Sequence, residues 1–516
     1  MIYNSARSFV TGRIWACLLL SLLVCGSPFQ GYAKETIDPT KEIHDVLGQA
    51  VQAVGEVRNP LFRARIINAI ASAYAEMGNH ERALELAGKK DNVNKDGTLL
   101  ATTRMLVEQG QGKQAEDIAS RIDDGYWKAS ALEELGRYYV SKGEKEAAIE
   151  VFNKALKATE SIGDSFSRVS TMIQIAEAQA AGGDRVKAGE TLRQVLEVSS
   201  SIQDALSRDL SIGYVAEGQA RLGDVSVALR TLDGIQDGDQ KQGSLRNIVS
   251  EVAQRGNIRY AMELAASITG GFNHDFALQR IAEAQAEAGN FDGALATVGS
   301  ISPSGSNKTI ALGRIADEMV DRQDRAMAQP VLKQAAQAAS QISDAGERVR
   351  YLGGIARRQA EANDRQGAVD TIRQALLAIN KVSDMKERDS PLLSIVEAQV
   401  QVGDVAGALK SAAAISSDTI QDRAYFQIAK SQAWLGDIQG ALETAALSHG
   451  YDFMWRGYSL QRIAKIQAHK GDKKGALGWA MTQAVPSDRA LALLGVAEGL
   501  LHQGKSIDNY PNTYSF

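Results

Sequence analysis

Four stretches of this chain are near-copies of one another: IAEAQAAGGDRVKA from Ile175, IAEAQAEAGNFDGA from Ile281, IVEAQVQVGDVAGA from Ile395 and IAKSQAWLGDIQGA from Ile428. Fixed-period self-similarity constrains a fold more than composition does, because every copy builds the same small unit and buries its apolar face on the next. Aligned on the turn residue, the copies run through Gly78, Gly110, Gly143, Gly183, Gly223, Gly256, Gly289, Gln323, Asn363, Gly403, Gly436, Gly471 and Gly504. The successive spacings are 32, 33, 40, 40, 33, 33, 34, 40, 40, 33, 35 and 33. Gly or Asn at the anchor suits a helix end that needs a left-handed residue, and a following Asp or Asn suits the next helix start. Gln323 departs from that rule. Helix-period apolar spacing on both sides predicts two antiparallel helices per unit.

A second period lies above the first. Gly143 to Gln323, Gly183 to Asn363, Gly223 to Gly403 and Gly256 to Gly436 all span the same interval of 180 (323 − 143 for the first). That reads as a block of three short and two long units, used twice and then begun again. Seven extra residues make nearly two helical turns, so one added turn on each helix of a long unit is expected. The long units share a seam: Ile162-x-Asp164…Arg168, Ile202-x-Asp204…Arg208, Ile342-x-Asp344…Arg348 and Val382-x-Asp384…Arg388. An Asp N-cap with an Arg one turn on accounts for it better than a ligand-facing acidic ridge. At the ends, Lys41–Val57 reads as a second helix lacking its first, and Asp488–Gln503 as a first helix lacking its second, with twelve pairs between.

The unit from Leu135 to Ala155 places Leu135, Gly136, Tyr139, Gly143, Ala148, Phe152 and Ala155 at fixed offsets. In these places it resembles the tetratricopeptide repeat, and other units keep the frame while varying the filling, as in Ile175, Ala176, Gln179, Gly183 and Ala188. The resemblance covers roughly residues 41–504. It implies an all-α right-handed superhelical solenoid of about twelve antiparallel helix pairs of 33–40 residues, with an extra helix at each end. It also implies a non-catalytic scaffold that binds a protein or peptide on its concave face. The expected organisation is a leader over 1–33, a linker and capping helix over 34–57, the repeats over 58–504 and a polar tail over 505–516.

The leader reading rests on Arg7 and Arg13, the apolar run Ile14 to Val24, and the small-residue end Gly31-Tyr32-Ala33. It predicts an exported, periplasmic chain. A lipoprotein anchored through Cys25 is the weaker alternative, since Val24 stands where a small residue is wanted. Cys17 and Cys25 are the only cysteines, so the mature chain has no disulfide and no thiolate metal site. Losing Arg7 and Arg13 takes the net charge from −5 to −7, which argues against nucleic acid.

No catalytic group, cofactor or metal site assembles from the residues. Gly499-Leu-Leu-His-Gln-Gly504-Lys505-Ser506 spells a phosphate loop but follows a helix rather than a strand. Asn92-x-Asn94-x-Asp96-Gly97 resembles the start of a calcium loop but lacks a leading Asp and has Thr103 where the closing Glu belongs. The six His are scattered without ligand spacing.

Three patterns remain as candidates. Gln recurs at one frame position as Gln179, Gln219, Gln285, Gln359, Gln399, Gln432 and Gln467, with a hydrogen bond between packed helices the expected role. Two residues earlier, where the resemblance implies the groove, stand Glu177, Glu217, Glu283, Asp317 and Glu397 but Arg137, Arg357, Lys430 and Lys465. Finally, Tyr425, Phe426, Trp434, Tyr451, Phe453, Trp455, Tyr458 and Trp479 put 8 of 30 aromatics into 55 residues, near Arg423, Lys430, Arg462 and Lys465. Aromatic and Arg clusters are typical binding anchors, and bulky packing between units is the rival account. A glycan stacked on these aromatics, in a module of envelope polysaccharide export, is the alternative partner.

Overall fold

The computed structural model describes residues 39–87, 95–303, 305–449 and 455–504; the leader, both cysteines, Tyr451, Phe453 and the tail lie outside these. The described residues form helices and no strand. The described residues open on α1 (Pro39–Gly55). Pairs follow: α2–α3 (Pro60–Glu76, His80–Ala87), α4–α5 (Lys95–Glu108, Gly112–Ser120), α6–α7 (Gly125–Ser141, Lys145–Thr159), α8–α9 (Ser165–Ala181, Arg185–Ser200). Next come α10–α11 (Ala205–Leu222, Val225–Thr231), α12–α13 (Gly238–Gln254, Ile258–Ala265), α14–α15 (Gly271–Glu287, Phe291–Gly299) and α16–α17 (Ser306–Asp321, Arg325–Ser340). The array continues with α18–α19 (Ala345–Glu361, Arg365–Ile379), α20–α21 (Met385–Gln401, Val405–Ala413), α22–α23 (Asp418–Leu435, Ile438–Ala446) and α24–α25 (Trp455–His469, Lys473–Met481). It ends on α26 (Pro486–Leu501).

Each pair turns on its anchor. All thirteen anchors have positive φ, including Asn363 at 61° and Gln323 at 64°. Gln323 is therefore no exception in conformation, only in residue type. The residue after the anchor donates its N–H to the last turn of the first helix, as Asp404 does to the Gln399 carbonyl (2.8 Å). Its side chain then caps the second helix, as Asp404 does by accepting from the Gly407 N–H (2.9 Å). One tight turn thus satisfies backbone groups of both helices.

The long units correct one expectation. Their first helices keep the ordinary length (17 residues in both α8 and α14), and the extra residues enter the second helix alone. The second helices α7, α9, α17 and α19 run 15, 16, 16 and 15 residues, against 9 in α15, α21, α23 and α25. Seven residues in one helix are two full turns, which returns the apolar stripe to the same side without disturbing the first helix. The seam of the long units is the expected N-cap: Asp164, Asp204, Asp344 and Asp384 accept from the N–H of Ser167, Ser207, Glu347 and Lys386. Arg348 and Arg388 reach back to the carbonyls of Ile342 (2.8 Å) and Val382 (2.7 Å), tying the helix start to the preceding chain.

First helices pack on the first helices of neighbouring pairs, whereas second helices pack on first helices. The first helices therefore form the inner wall. Their spacing is uneven because it depends on side-chain size at the crossing. A Cβ at Gly495 of α26 would run into the Gln461 carbonyl oxygen of α24, and one at Gly353 of α18 would meet the backbone of Ser394 of α20 at 2.8 Å. Only glycine lets these backbones come so close.

The two end helices pack against each other. Helix α26, a first helix, lies against α1, a second helix, and α2 touches both. Ile43, Val46, Leu47, Ala50, Ala53, Val54 and Val57 share one buried cluster with Leu491, Leu494, Ala497 and their neighbours. Burying side chains of this kind contributes on the order of 10 kcal/mol, taken as an upper figure. Lys473 pairs with Glu42, Arg489 Nη2 with Glu56 (2.6 Å) and His502 Nε2 with Glu76 (2.5 Å). The pairing runs antiparallel like any other unit, so the two ends complete a thirteenth pair and the array closes into a ring.

Candidate functional site

The frame glutamines are buried pins between the two helices of a unit. The Gln179, Gln219, Gln285, Gln399 and Gln432 carbonyls accept from the hydroxyl twelve residues on: Thr191 (2.9 Å), Thr231 (2.7 Å), Thr297 (2.7 Å), Ser411 (2.8 Å) and Thr444 (2.7 Å). Gln467 accepts from the Trp479 indole N–H (2.8 Å), which gives that Trp a structural role. Gln359 stands apart: its buried carbonyl oxygen has no hydrogen-bond partner among the described residues.

The charges of the inner wall are mostly paired. Glu177 pairs with Arg221, which also reaches Glu251 (2.9 Å) and Glu217 (3.8 Å). Glu217 accepts from the Asn247 amide (2.7 Å), and burial pushes its carboxyl above the usual carboxylate range. Glu283 pairs with Arg280, Asp317 with Arg358 (2.8 Å), Lys465 with Glu498 (3.2 Å) and Arg423 with Glu397 (3.6 Å). The acidic frame positions are thus largely neutralised within the wall. Glu177 and Glu217 sit on α8 and α10, joined to Arg221 rather than to the aromatic units.

The aromatic cluster divides. Phe426 of α22 packs on Trp455 of α24 (centroids 5.8 Å), and Trp455 meets Tyr458 edge-on (6.5 Å). Tyr458 is hydrogen-bonded to Arg65 of α2, and burial raises its phenol above the ordinary value. Arg462 lies one turn further along α24, and Tyr425 is buried in the core. These rings pack units together, as bulky filling does. Trp434 differs. Lys470 donates to its backbone carbonyl, with the ammonium 5.2 Å from the ring centroid, and Trp434 itself lines an open cleft.

That cleft, about 720 Å³, lies across the C-terminal thirds of α18, α20 and α22. Arg357, Glu361, Arg365, Glu397, Lys430 and Trp434 line it with Gln401, Gln427, Ser431 and Leu435. Arg357 holds Glu361 (2.8 Å), and these two also border a smaller hollow of about 290 Å³ between α16 and α18, where Arg358 crosses to Asp317. Of the residues singled out in the sequence, the cleft gathers Arg357, Glu397, Lys430 and Trp434, with Arg423 adjoining through its pair with Glu397. Arg365, Gln401 and Gln427 join them unexpectedly. Their signal is their place in neighbouring copies of the frame: Gln401 ends the first helix α20, Arg365 opens the second helix α19 just past its turn, and Gln427 lies in α22 one turn before Ser431.

Two motif readings are resolved in part. Asp96 accepts from the N–H of Asp123 (3.3 Å) and Asp124 (2.9 Å), tying the start of α6, while Asn92 and Asn94 lie outside the described residues. Gly499 sits inside α26, where a Cβ would meet the Lys465 carbonyl oxygen at 2.5 Å, and Lys505 and Ser506 lie outside the described residues. Among the described residues no group of three His, Cys, Asp or Glu is placed to hold a metal, and no helix is long and apolar enough to cross a membrane.

At Gly136, the small residue of the best-matching unit, a Cβ would run into the Phe152 ring. The tetratricopeptide-repeat family pattern matches residues 129–161, the unit that contains this contact. Over this one unit the chain is similar to the tetratricopeptide repeat. Solved structures similar to it include the pentatricopeptide repeat protein PPR10 from maize, 11% identical over 88% of this chain and 67% of that one, with a TM-score of 0.33. A protein from Thermococcus onnurineus is 16% identical over 69% of this chain and 97% of its own, with a TM-score of 0.27. The Cut9-Hcn1 assembly of the APC/C is 12% identical over 88% and 93%, with a TM-score of 0.25. No curated protein matches the chain by sequence.

Proposed function

We propose that the protein is an exported, non-catalytic scaffold that holds a segment of a protein partner on the inner wall of its ring, at the α18–α20–α22 cleft. Tetratricopeptide-like scaffolds commonly bind proteins, and the fold presents a long concave surface for it. The observation that carries the reading is the cleft in which Trp434, Lys430 and Glu397 meet on adjacent first helices. An aromatic ring beside unlike charges can anchor a side chain and orient the chain that bears it. Export is inferred from the leader-like segment 1–33. A glycan, the alternative partner, would use several stacking rings, whereas Phe426, Trp455 and Tyr458 are engaged with each other and with Arg65.

The test places a photo-cross-linking residue at position 434 and, as control, at position 254, its counterpart in the earlier copy of the five-unit block. Cross-linking in the native envelope should give discrete protein adducts from 434 and none from 254. Adducts of equal yield from both positions, or none from 434, would dismiss the site.

A further inference from the structure

The duplicated five-unit block supplies a built-in comparison for the cleft. Each residue lining it has a counterpart 180 residues earlier, on α8, α9, α10 and α12 or in the turns after α10 and α12. Arg357, Glu397, Gln401 and Ser431 correspond to Glu177, Glu217, Arg221 and Glu251. In the earlier copy these four are one closed network, with Arg221 bridging Glu177, Glu217 and Glu251. Arg255 then closes the edge by donating to the Arg221 carbonyl (2.5 Å) and lying 2.9 Å from where a Cβ of Gly223 would be. In the later copy every member of that lock but Glu397 is exchanged. Gln401 replaces the bridging Arg, Leu435 replaces Arg255 and is 70% exposed, and Trp434 replaces Gln254.

The exchanges also change the sign of the surface. Glu177 becomes Arg357, Gly243 becomes Arg423, Ser250 becomes Lys430 and Glu251 becomes Ser431. Against these, Arg221 and Arg255 are lost and Glu361 is gained, which leaves the later copy more positive. Arg365, the counterpart of Arg185, keeps an exposed guanidinium at the rim that makes no ion pair among the described residues. Resting on the function proposed above, we infer that the α18–α20–α22 cleft is a site for an extended acidic polypeptide segment, and that the α8–α10–α12 position is the same site held shut by Arg221. Carboxylates of the segment lie against Arg357, Arg365 and Lys430, and an apolar side chain lies on Trp434. Three first helices at roughly 9–10 Å spacing span about 20 Å, which is about six residues of extended chain.

The probe is a fluorescein-labelled twelve-residue peptide of Asp, Glu and Ser around one Tyr, titrated against the full chain beginning at Lys34. Its counterpart with Lys for every acid is the control. The acidic peptide should bind about tenfold or more tightly than the basic one, and its affinity should fall as salt rises. The triple change R357E/Q401R/S431E rebuilds the lock with residues that already fold in the other copy, and should weaken binding by about tenfold or more. The reverse change E177R/R221Q/E251S should raise the stoichiometry from one peptide to two. Equal affinity for both peptides, or an unaltered affinity in the locked variant, overturns the inference. If position 434 still cross-links a protein while the acidic peptide fails, the scaffold reading stands and the acidic ligand is wrong. Binding of an oligogalacturonate in place of the peptide removes both.

Discussion

At the residue scale, the anchor is where sequence and structure can be compared thirteen times. Eleven anchors are glycine, and Asn363 and Gln323 hold the same left-handed conformation at the cost a side chain brings there. Gln323 is legible as an anchor by spacing alone, because the frame passes through it whatever its type. Its strain is not legible, since residue type argues against the conformation. Gln323→Gly should therefore stabilise the protein by about 1 kcal/mol, read as a raised midpoint in thermal or urea unfolding. Gly403→Gln, the opposite exchange eighty residues on, should lower it by a similar amount. The frame glutamines teach the complementary lesson. Their recurrence is plain in the sequence, and a Thr or Ser follows most of them twelve residues later, yet only the antiparallel turn brings those two positions together.

At the scale of the element, short and long units solve one problem in two ways. When the second helix is long, its end reaches the next first helix directly and a local Asp N-cap suffices. When it is short, the connecting chain crosses back over the preceding first helix, where a buried carboxylate receives it. Asp389 of α20 accepts the N–H groups of Ser416 (2.7 Å) and Ser417 (2.9 Å) and the Ser416 hydroxyl, and is 2% exposed. Asp209 does the same for Gln236 and Asp237, and Asp422 for His449. Asp389→Ala should cost about 2 kcal/mol, because two helix-start donors lose their acceptor in a buried place. Hydrogen exchange should quicken at Ser416 and Ser417 and stay unchanged at Lys386 and Arg388, where the cap is local. Equal protection in variant and parent would dismiss this role. The signal lies in the sequence as an Asp ten residues before four of the frame Gln: Asp209, Asp275, Asp389 and Asp422. It is hard to read there because its partners sit in the next unit, beyond the reach of any local pattern.

For the whole molecule, the sequence specifies twelve pairs and two odd helices of complementary kind, and nothing local says that they meet. Closure depends on the small rotation between neighbouring units summed over the entire array, and on the crossings that Gly353 and Gly495 tighten. Nearest-neighbour coupling in an open array favours a gradual or stepped melt. A ring has no frayed end from which to begin, so its units should unfold together. Deleting residues 34–58 removes α1 and uncovers the face of α26. The shortened chain should show a larger radius of gyration in small-angle scattering and a broader, lower-temperature melt than the chain beginning at Lys34. Identical scattering and melting for the two chains would mean that the seam does not hold in solution. Thirteen first helices at roughly 9–10 Å would make a circular wall about 40 Å across between axes, and about 30 Å clear inside the helices.

The thirteenth pair has one further consequence. Its two helices are antiparallel neighbours like all the others, yet no turn joins them, whereas every other pair has such a turn. Where the polypeptide starts is therefore arbitrary with respect to the architecture. A short linker from Gly504 to Pro39 with new ends cut at Gly256 gives a rearranged chain in which the seam is an ordinary hairpin and an ordinary hairpin becomes the seam.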